Sequence, residues 1–183
     1  MPRAGLSPDA VVDIALALID EKGLEALSLA AVADRAGVAA PSLYKHVGSL
    51  ADLRTLLAAR VMRQVTASFA EAAMGRSRDE AVEALMRSYR AYVLANPGRY
   101  ALIPLDALHY PGLVEAGAEL IAVFVAVMRG YGLDDASATH AIRRLRATAH
   151  GFAVLEAGGG FGLPQDIETS YDQVIEMFLR SLR

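Results

Sequence analysis

Apolar residues recur every three or four positions along most of the chain, which is the spacing of amphipathic helices. Near the N-terminus, Val11, Ile14, Ala15 and Leu18 follow this spacing. No segment shows the strict alternation of apolar and polar residues that predicts a strand, and no internal repeat is visible. The pattern therefore predicts an all-α protein of about nine helices.

Local signals predict where the first three helices begin and end. Ser7 is suited to cap the first helix, with Pro8 at its first position, where a missing N–H costs nothing. Ser28 is placed to cap the second helix, which we expect to end at Gly37 because glycine adopts the left-handed conformation readily. A short third helical segment is predicted over residues 40–46.

The remaining helices are predicted from the same kinds of signal. Ser49 and Asp52 form a variant of the capping box, and the helix they open should reach about Ala73. Ser77 and Glu80 form a full capping box for the next helix, which Asn96 ends. The later predicted helices are a short one around Tyr100–Leu108, one over Pro111–Arg129, one capped by Asp134 or Asp135 that reaches Ala157, and a last one over Asp166–Leu182.

Composition restricts the possible functions. The chain has 183 residues, no cysteine and a formal net charge of −3, which excludes disulfides, thiolate ligands and a uniformly basic surface. The first 63 residues carry seven basic and seven acidic side chains, so that any nucleic-acid binding must depend on a local arrangement of charges.

The mean hydropathy of +0.31 raises the question of a membrane segment. The most apolar run, Leu120–Met128, is far shorter than the roughly 20 residues needed to cross a bilayer. We therefore interpret it as part of a buried helix. The N-terminal residues lack the features of a signal peptide, which predicts a cytoplasmic protein that does not interact with membranes.

Two short helices joined by the tight turn Ala36–Val38 indicate a helix-turn-helix. In this motif the second helix enters the major groove of DNA while the first crosses the backbone. Leu43 and Val47 should face inward and pack on Val32 and Ala33. The outward and N-terminal positions of the second helix are Ala39, Ala40, Pro41, Ser42 and Lys45, flanked by Tyr44 and His46.

The stretch Leu27–Leu53 resembles the DNA-binding domain of the TetR family, most closely in Ala33, Gly37-Val38, Leu43-Tyr44, His46 and Leu53. The resemblance implies an all-α homodimer in which a helix-turn-helix domain over residues 1–48 binds half of a palindromic operator. A connecting helix over 49–73 would join it to an effector-binding and dimerisation domain over 74–183.

The resemblance also implies roles for single residues. Tyr44 and His46 match positions that hold phosphates, Ser42 and Lys45 match positions that contact base edges, and Ser28 matches a cap that contacts the DNA backbone. The small side chains of Ala39 and Ala40 next to Pro41 would allow close approach and contact with a thymine methyl group. Many family members carry a lysine at or near Gly48 and Leu50, and its absence here predicts a shallower salt dependence of binding.

The stretch Ala149-His150-Gly151-Phe152 resembles a TetR subgroup with a Trp-His-Gly motif, although the tryptophan is missing. The resemblance implies that the helix around His150 lies in the regulatory core near a dimer interface. Helices over 137–157 and 166–182 from two subunits would then form a four-helix interface. We expect Val154, Ile175, Phe178 and Leu182 on its apolar face.

An effector pocket should be lined by apolar or amphipathic side chains on facing helices. Each candidate could equally be an ordinary core residue, since buried tyrosine and histidine find polar partners with or without a ligand. The candidates are Met86, Tyr89, Tyr92, Ile103, His109, Phe124, Met128 and His150.

No catalytic, cofactor or metal motif is found in the sequence. His140 and His150 are ten residues apart and do not share ligand spacing, and the glycine-rich stretch 157–162 lacks the Lys-Ser/Thr of a phosphate loop. The sequence thus favours a ligand-responsive repressor that is not an enzyme and needs no cofactor. Two alternatives stay open. One is an activator or nucleoid-type DNA binder that uses the same motif, and the other is a helical small-molecule carrier or enzyme with an incidental N-terminal motif.

Overall fold

The computed structural model describes residues 6–183. Residues 1–5 are outside that range. They include Arg3 and the beginning of the predicted domain over 1–48. The described chain forms nine α-helices and three short 3-10 turns without a strand, which confirms the all-α prediction. The helices are α1 (Pro8–Lys22), α2 (Leu29–Ala36), α3 (Ala40–Leu43), α4 (Leu50–Ala73), α5 (Arg78–Ala95), α6 (Pro97–Tyr100), α7 (Val114–Arg129), α8 (Asp135–Ala157) and α9 (Ile167–Arg180).

The chain divides into two compact units. The first unit comprises the chain up to Met62 together with Gly98–Gly117, and the second comprises Arg63–Pro97 and Ala118–Arg183. Both α4 and α7 begin in the first unit and end in the second. The predicted functional boundaries at 48 and 73 stay predictions.

In the first unit, α2 packs against both α1 and α3. The α1 helix begins as predicted, because Ser7 Oγ accepts a hydrogen bond from Ala10 N at 3.2 Å. Its buried face includes Val11 and Ala15, which are inaccessible to solvent. Leu53 and Leu57 of α4 are also completely buried, so the start of α4 belongs to the same core.

In the second unit, α5 packs on α8 and α9. The face of α8 that is buried presents alanines at 141, 149 and 153 with Leu145 between them, and such small side chains allow two helices to approach closely. Tyr171 of α9 is buried, and its hydroxyl donates a hydrogen bond to the backbone oxygen of Met86 at 2.6 Å. Burial raises the pKa of the Tyr171 hydroxyl above its usual range.

The apolar α7 helix is only partly buried. By length and composition alone Pro111–Arg129 could cross a membrane, with a mean hydropathy of 1.7, and 33 % of that window is buried. A core helix of a soluble protein passes the same test, so this is weak evidence for a span. Within the second unit Phe124 and Met128 of α7 are buried while Ile121 is exposed, so the expected buried helix is buried on one face.

Three local predictions differ from the structure. The helix predicted around Tyr100–Leu108 is absent: the chain has only α6 and a 3-10 turn over Ala107–His109, with Pro104 between them unable to donate a helical hydrogen bond. The α3 helix ends at Leu43, three residues earlier than predicted. The Ser77 side chain makes no capping hydrogen bond, and the next residue, Arg78, has a φ of +50°.

Candidate DNA interface and effector region

The turn between α2 and α3 has the geometry that a helix-turn-helix requires. Ser28 caps α2, its Oγ accepting a hydrogen bond from Ala31 N at 3.1 Å. Gly37 follows α2 in the left-handed conformation, with φ 66° and ψ 34°, which an L side chain rarely adopts. Val38 N then donates to Ala33 O at 3.1 Å and closes the turn. The turn at Gly37 therefore determines the direction in which the chain leaves α2 and enters α3.

The α3 helix is anchored on one side and open on the other. Leu43 is completely buried, and its backbone oxygen accepts hydrogen bonds from His46 N at 2.8 Å and Val47 N at 3.0 Å. These bonds hold residues 44–46 in a hydrogen-bonded turn directly after α3. Tyr44 is 58 % exposed and Lys45 is also exposed. The buried Leu43 thus fixes the position of two exposed polar side chains.

The structure places the eight sequence-predicted DNA-binding residues at three kinds of position: Ser28 and Ala39 are the N-caps of α2 and α3, Ala40, Pro41 and Ser42 lie on α3, and Tyr44, Lys45 and His46 lie in the turn that follows. None of them is fully buried, although three are partly covered by their own chain. Ala39, Ala40, Pro41, Tyr44 and Lys45 are exposed, whereas Ser28, Ser42 and His46 are half-buried.

Several basic residues of the first unit are neutralised by carboxylates. Arg35 of α2 forms a bidentate pair with Glu21 of α1, with nitrogen–oxygen distances of 2.5 and 2.6 Å. This hydrogen bonding by Arg35 lowers the pKa of the Glu21 carboxyl. Lys45 has no ion-pair partner among residues 6–183, so its charge is free to meet a phosphate or a base edge. The other pairs join Arg60 to Asp9 and Asp13, and Arg99 to Asp20.

Six of the predicted effector residues lie in the second unit. The Tyr89 ring stacks on Phe69 with centroids 5.0 Å apart, and Phe124 meets Phe69 edge-on at 5.9 Å. The Tyr92 hydroxyl donates to Gln64 Oε1 at 3.2 Å. The other three are Met86 and Met128, which are buried, and His150, which is half-buried.

The environments of the histidines differ. Burial, with a smaller effect from Arg146, lowers the pKa of His150. His109 belongs to the first unit together with half-buried Ile103, and 83 % of its side chain is exposed, with Nδ1 3.7 Å from Asp106 Oδ2. The effector roles of all eight residues stay predictions.

Two open clefts lie within the second unit. One, of about 390 Å³, is lined by polar and basic residues near the start of α8 and the C-terminus, His140 and Arg144 among them. The other, of about 330 Å³, is more apolar and lies among the end of α4, the start of α5 and the end of α7. Neither cleft is lined by any of the eight predicted effector residues.

The structure corrects part of the predicted dimer interface. Ile175 and Phe178 are only 3 % and 2 % exposed, so the single chain already buries them and their assignment to an intersubunit face is wrong. Val154 is 42 % exposed and Leu182 is half-buried. Sequence periodicity marks an apolar face but does not reveal whether the same chain or a second chain covers it.

Sequence reasoning missed a cluster of ion pairs in the second unit. Arg87 and Arg90 project from one side of α5 and are paired with carboxylates on α8 and α9. The i,i+4 spacing of Glu83 and Arg87 was the available signal, whereas the partners on α8 and α9 lie 66 or more residues away in sequence. The carboxylates are Glu156, Glu168 and Asp172, with Glu83 on α5 itself.

Comparison with known proteins agrees with this architecture. Residues 11–54 match the family model described as bacterial regulatory proteins, tetR family, and residues 82–178 match the model described as tetracyclin repressor-like, C-terminal domain. The chain is 36 % identical over 171 residues to the HTH-type transcriptional regulator Rv0681 of Mycobacterium tuberculosis, covering 91 % of this chain and 76 % of that protein. It is 33 % identical to the HTH-type regulator YobS of Bacillus subtilis, covering 99 % and 95 %.

Solved structures share the fold. A protein of unknown function from Rhodococcus sp. RHA1 superimposes with a TM-score of 0.82 at 24 % identity, covering 99 % of this chain and 98 % of that one. ActR of Streptomyces coelicolor, in complex with (S)-DNPA, superimposes with a TM-score of 0.71 at 22 % identity, covering 98 % of both chains. Together with the matched models, these findings establish that the chain belongs to the TetR family of transcriptional regulators and carries its DNA-binding helix-turn-helix.

Proposed function

We propose that this regulator is a ligand-responsive repressor that acts in the cytoplasm as a homodimer on a palindromic operator. The observation that carries the DNA-binding part is the contrast along α3 and its following turn. Leu43 is completely buried and fixes the segment, while Tyr44 and Lys45 directly after it are exposed. An anchored helix with exposed polar residues is what reading of base edges needs, since the side chains must keep one register in the groove.

The chemistry of the exposed residues fits separate roles. Lys45 can donate to O6 or N7 of guanine, a contact that contributes about 1–3 kcal/mol of discrimination between bases. The Tyr44 hydroxyl and the half-buried His46 can donate to phosphate oxygens, which positions the helix without reading sequence. Ala39, Ala40 and Pro41 are exposed and too short to hold the helix away from the base edges.

Homodimerisation would give the operator its symmetry. Exposed apolar residues on α8 and α9 support it: Val154 is 42 % exposed, Leu155 53 % and Met177 55 %. A two-fold dimer would present its two copies of α3 to half-sites about 34–36 Å apart, or at a multiple of that distance. The operator should then be palindromic with a spacing of one or more DNA turns.

An effector would act by changing the population of DNA-competent dimers. A structure of the same fold, ActR, holds (S)-DNPA, and the second unit here contains six of the eight predicted effector residues. The α4 helix links the two units covalently, so a ligand that shifts α4 would change the separation of the two copies of α3. A coupling free energy of about 1–3 kcal/mol, typical of allosteric proteins, is enough to release operator DNA.

The proposal is tested by selecting bound fragments from a random or genomic DNA pool with the purified protein at physiological salt. We expect a palindromic consensus. Tyr44→Phe should weaken binding to all fragments alike, whereas Lys45→Ala should relax the preference at one base position in each half-site. Lys22→Ala, which removes an exposed charge at the end of α1, is the matched control and should leave the consensus intact.

A lack of enrichment by a folded wild-type dimer, both alone and in the presence of a cell extract that supplies small molecules, would contradict the proposal. So would a consensus that neither Tyr44→Phe nor Lys45→Ala changes. Release of the selected DNA by components of the extract would support the effector part.

A further inference from the structure

The first unit has few cations available for DNA. Three of its described arginines are held by carboxylates, as set out above. Among residues 6–62 and 98–117, the basic side chains without an ion-pair partner are Lys22, Lys45 and Arg54. Lys22 ends α1, whereas Lys45 lies in the connection between α3 and α4 and Arg54 lies near the start of α4. Two of the three unpaired charges are thus close in sequence to the segment expected in the major groove.

The position of Arg54 in α4 directs its side chain toward that turn. Arg54 is exposed and lies one helical turn after Leu50, about 6 Å along the axis and within about 40° of the same face. Helical side chains lean toward the N-terminus of their helix, and a long arginine covers the turn that precedes it. The Cα–Cβ bond of Arg54 therefore leans toward the first turn of α4, so its guanidinium can reach the α3–α4 connection. Leu53 and Leu57, which are completely buried, fix this orientation of α4 in the first unit.

The backbone N–H groups in the first turn of α4 are not a good alternative site for a phosphate. Asp52 occupies that turn, and its carboxylate folds back on the chain so closely that a Cβ added to Gly48 would be 2.7 Å from Oδ2. The Ser49 hydroxyl already accepts the hydrogen bond of Asp52 N at 3.0 Å. A carboxylate at a helix N-terminus offsets the positive end of the helix dipole and makes it a poor anion site.

Asp52 does not neutralise Arg54. Residues two apart on a helix are about 200° apart around its axis and do not face each other. No ion pair joins the two side chains in the described chain. The acidic and basic groups at the start of α4 therefore point in opposite directions, and only the arginine side is suited to an anion.

We infer that Arg54 is a phosphate-binding residue of this regulator, which contacts the DNA backbone beside the groove that α3 enters. The inference rests on the proposed DNA-binding function. It assigns to Arg54 a charge-assisted contact that holds the start of α4 against the backbone while Lys45 contacts bases. Such a contact adds affinity for any duplex and carries no sequence preference.

The test is the salt dependence of binding to the selected operator and to an unrelated duplex, measured by fluorescence anisotropy with labelled DNA between 50 and 300 mM KCl. Arg54→Ala should lower the affinity for both duplexes about tenfold near 0.1 M salt. It should also reduce the slope of log K against log salt by about 0.9, the value of one lost phosphate contact. Arg54→Lys should restore the slope, because a lysine retains the point charge.

Lys22→Ala is the matched control, because it removes an equally exposed and unpaired charge from the far end of α1 and should leave the slope unchanged. Circular dichroism at 222 nm should show that each variant melts like the wild type. A wild-type slope in Arg54→Ala would overturn this inference and leave the proposed function standing. A wild-type protein that binds neither duplex would overturn the proposed function itself, and the inference with it.

Discussion

Arg90 on α5 and Glu156 on α8 form a bidentate ion pair in which Nε donates to Oε2 at 2.6 Å and Nη2 donates to Oε1 at 2.7 Å. Only 13 % of each side chain is exposed. The third guanidinium nitrogen donates to Glu168, and the guanidinium carbon lies 5.0 Å from the ring centroid of Tyr171 on α9. Hydrogen bonding to Glu156 raises the pKa of Arg90 further above its usual range. A single side chain thus connects three helices of the second unit.

Removing this arginine should cost more than removing its partner. In Arg90→Met the Glu156 carboxylate is left in a largely buried place without its cation, which we expect to lower the free energy of unfolding by about 2–3 kcal/mol. In Glu156→Gln the arginine keeps Glu168, so the loss should be about 1–2 kcal/mol. Urea unfolding followed by circular dichroism measures both.

The double variant Arg90→Met/Glu156→Gln tests the cause. It should be more stable than Arg90→Met alone, because no charge is left behind in a low-dielectric site. A double variant as unstable as the sum of the two single ones would show that packing, and not the unpaired charge, determines the loss.

Gly37 should be required for its backbone conformation alone. Its φ is +66° and no atom lies within 4 Å of an added Cβ, so a side chain there meets strain without a clash. We expect Gly37→Ala to lower the free energy of unfolding by about 1 kcal/mol, and Gly37→Asn by less, since asparagine tolerates the left-handed region. Thermal melts of the two variants check this. Equal losses of stability in the two variants would contradict this explanation, because backbone strain alone predicts a smaller loss for asparagine.

Helix starts show how much of the fold could be predicted from local sequence. The sequence predicts helix starts at Ser7, Ser28, Asp166 and either Asp134 or Asp135. Ser7, Ser28, Asp134 and Asp166 each accept a hydrogen bond from the backbone N–H three residues on. These caps are predictable because donor and acceptor lie within four residues. They mark the starts of four of the nine described helices.

Prediction fails where distant contacts override local ones. Ser77 has the sequence of a capping box, but Arg78 after it is drawn to Tyr131, with its guanidinium carbon 5.2 Å from the ring centroid, and donates to the Gly130 oxygen at 3.3 Å. Both contacts span more than 50 residues, so no local pattern reveals them. The same holds for the candidate site. Tyr44 and Lys45 could be placed from the motif, whereas the sequence does not reveal which basic residues are neutralised by carboxylates and that Arg54 is not among them.

Ser68 on α4 and Ser88 on α5 should contribute unequally to stability. Their hydroxyl oxygens are 3.0 Å apart, and Ser88 Oγ can also donate to the backbone oxygen of Ser68 at 3.3 Å. Ser68→Ala leaves that second bond in place and should cost less than about 0.5 kcal/mol. Ser88→Ala removes both bonds in a half-buried site and should cost about 1 kcal/mol. Urea unfolding tests the order, and the reverse order would contradict this assignment of the hydrogen bonds.

Asp166 should make stability depend on pH in the acid range. Hydrogen bonds from the Thr169 hydroxyl and backbone N–H lower the pKa of Asp166 below its ordinary 3.8. An aspartate with a lowered pKa in the folded state stabilises it above pH 3.8, and this stabilisation disappears as the pH falls through the lowered value. Asp166→Asn keeps a capping oxygen without titrating.

The stability difference between wild type and Asp166→Asn should therefore shrink between pH 5 and pH 2.5, as measured by urea unfolding at each pH. A constant difference over this range would mean that Asp166 titrates alike in the folded and unfolded chain.

Val154 on α8 and Met177 on α9 should hold the proposed dimer together. They are 42 % and 55 % exposed on helices that are otherwise packed in the second unit, and a charge in the centre of an apolar interface prevents its burial. We expect Val154→Arg and Met177→Arg to halve the mass in solution to 19.4 kDa by light scattering and to weaken operator binding strongly. Leu163→Arg, at an 80 % exposed position in the loop between the two helices, should change neither. A monomeric wild-type protein would contradict the proposed dimer. Variants that remain dimeric would place the dimer interface on another surface. The exposed face of α7 is the next candidate to test.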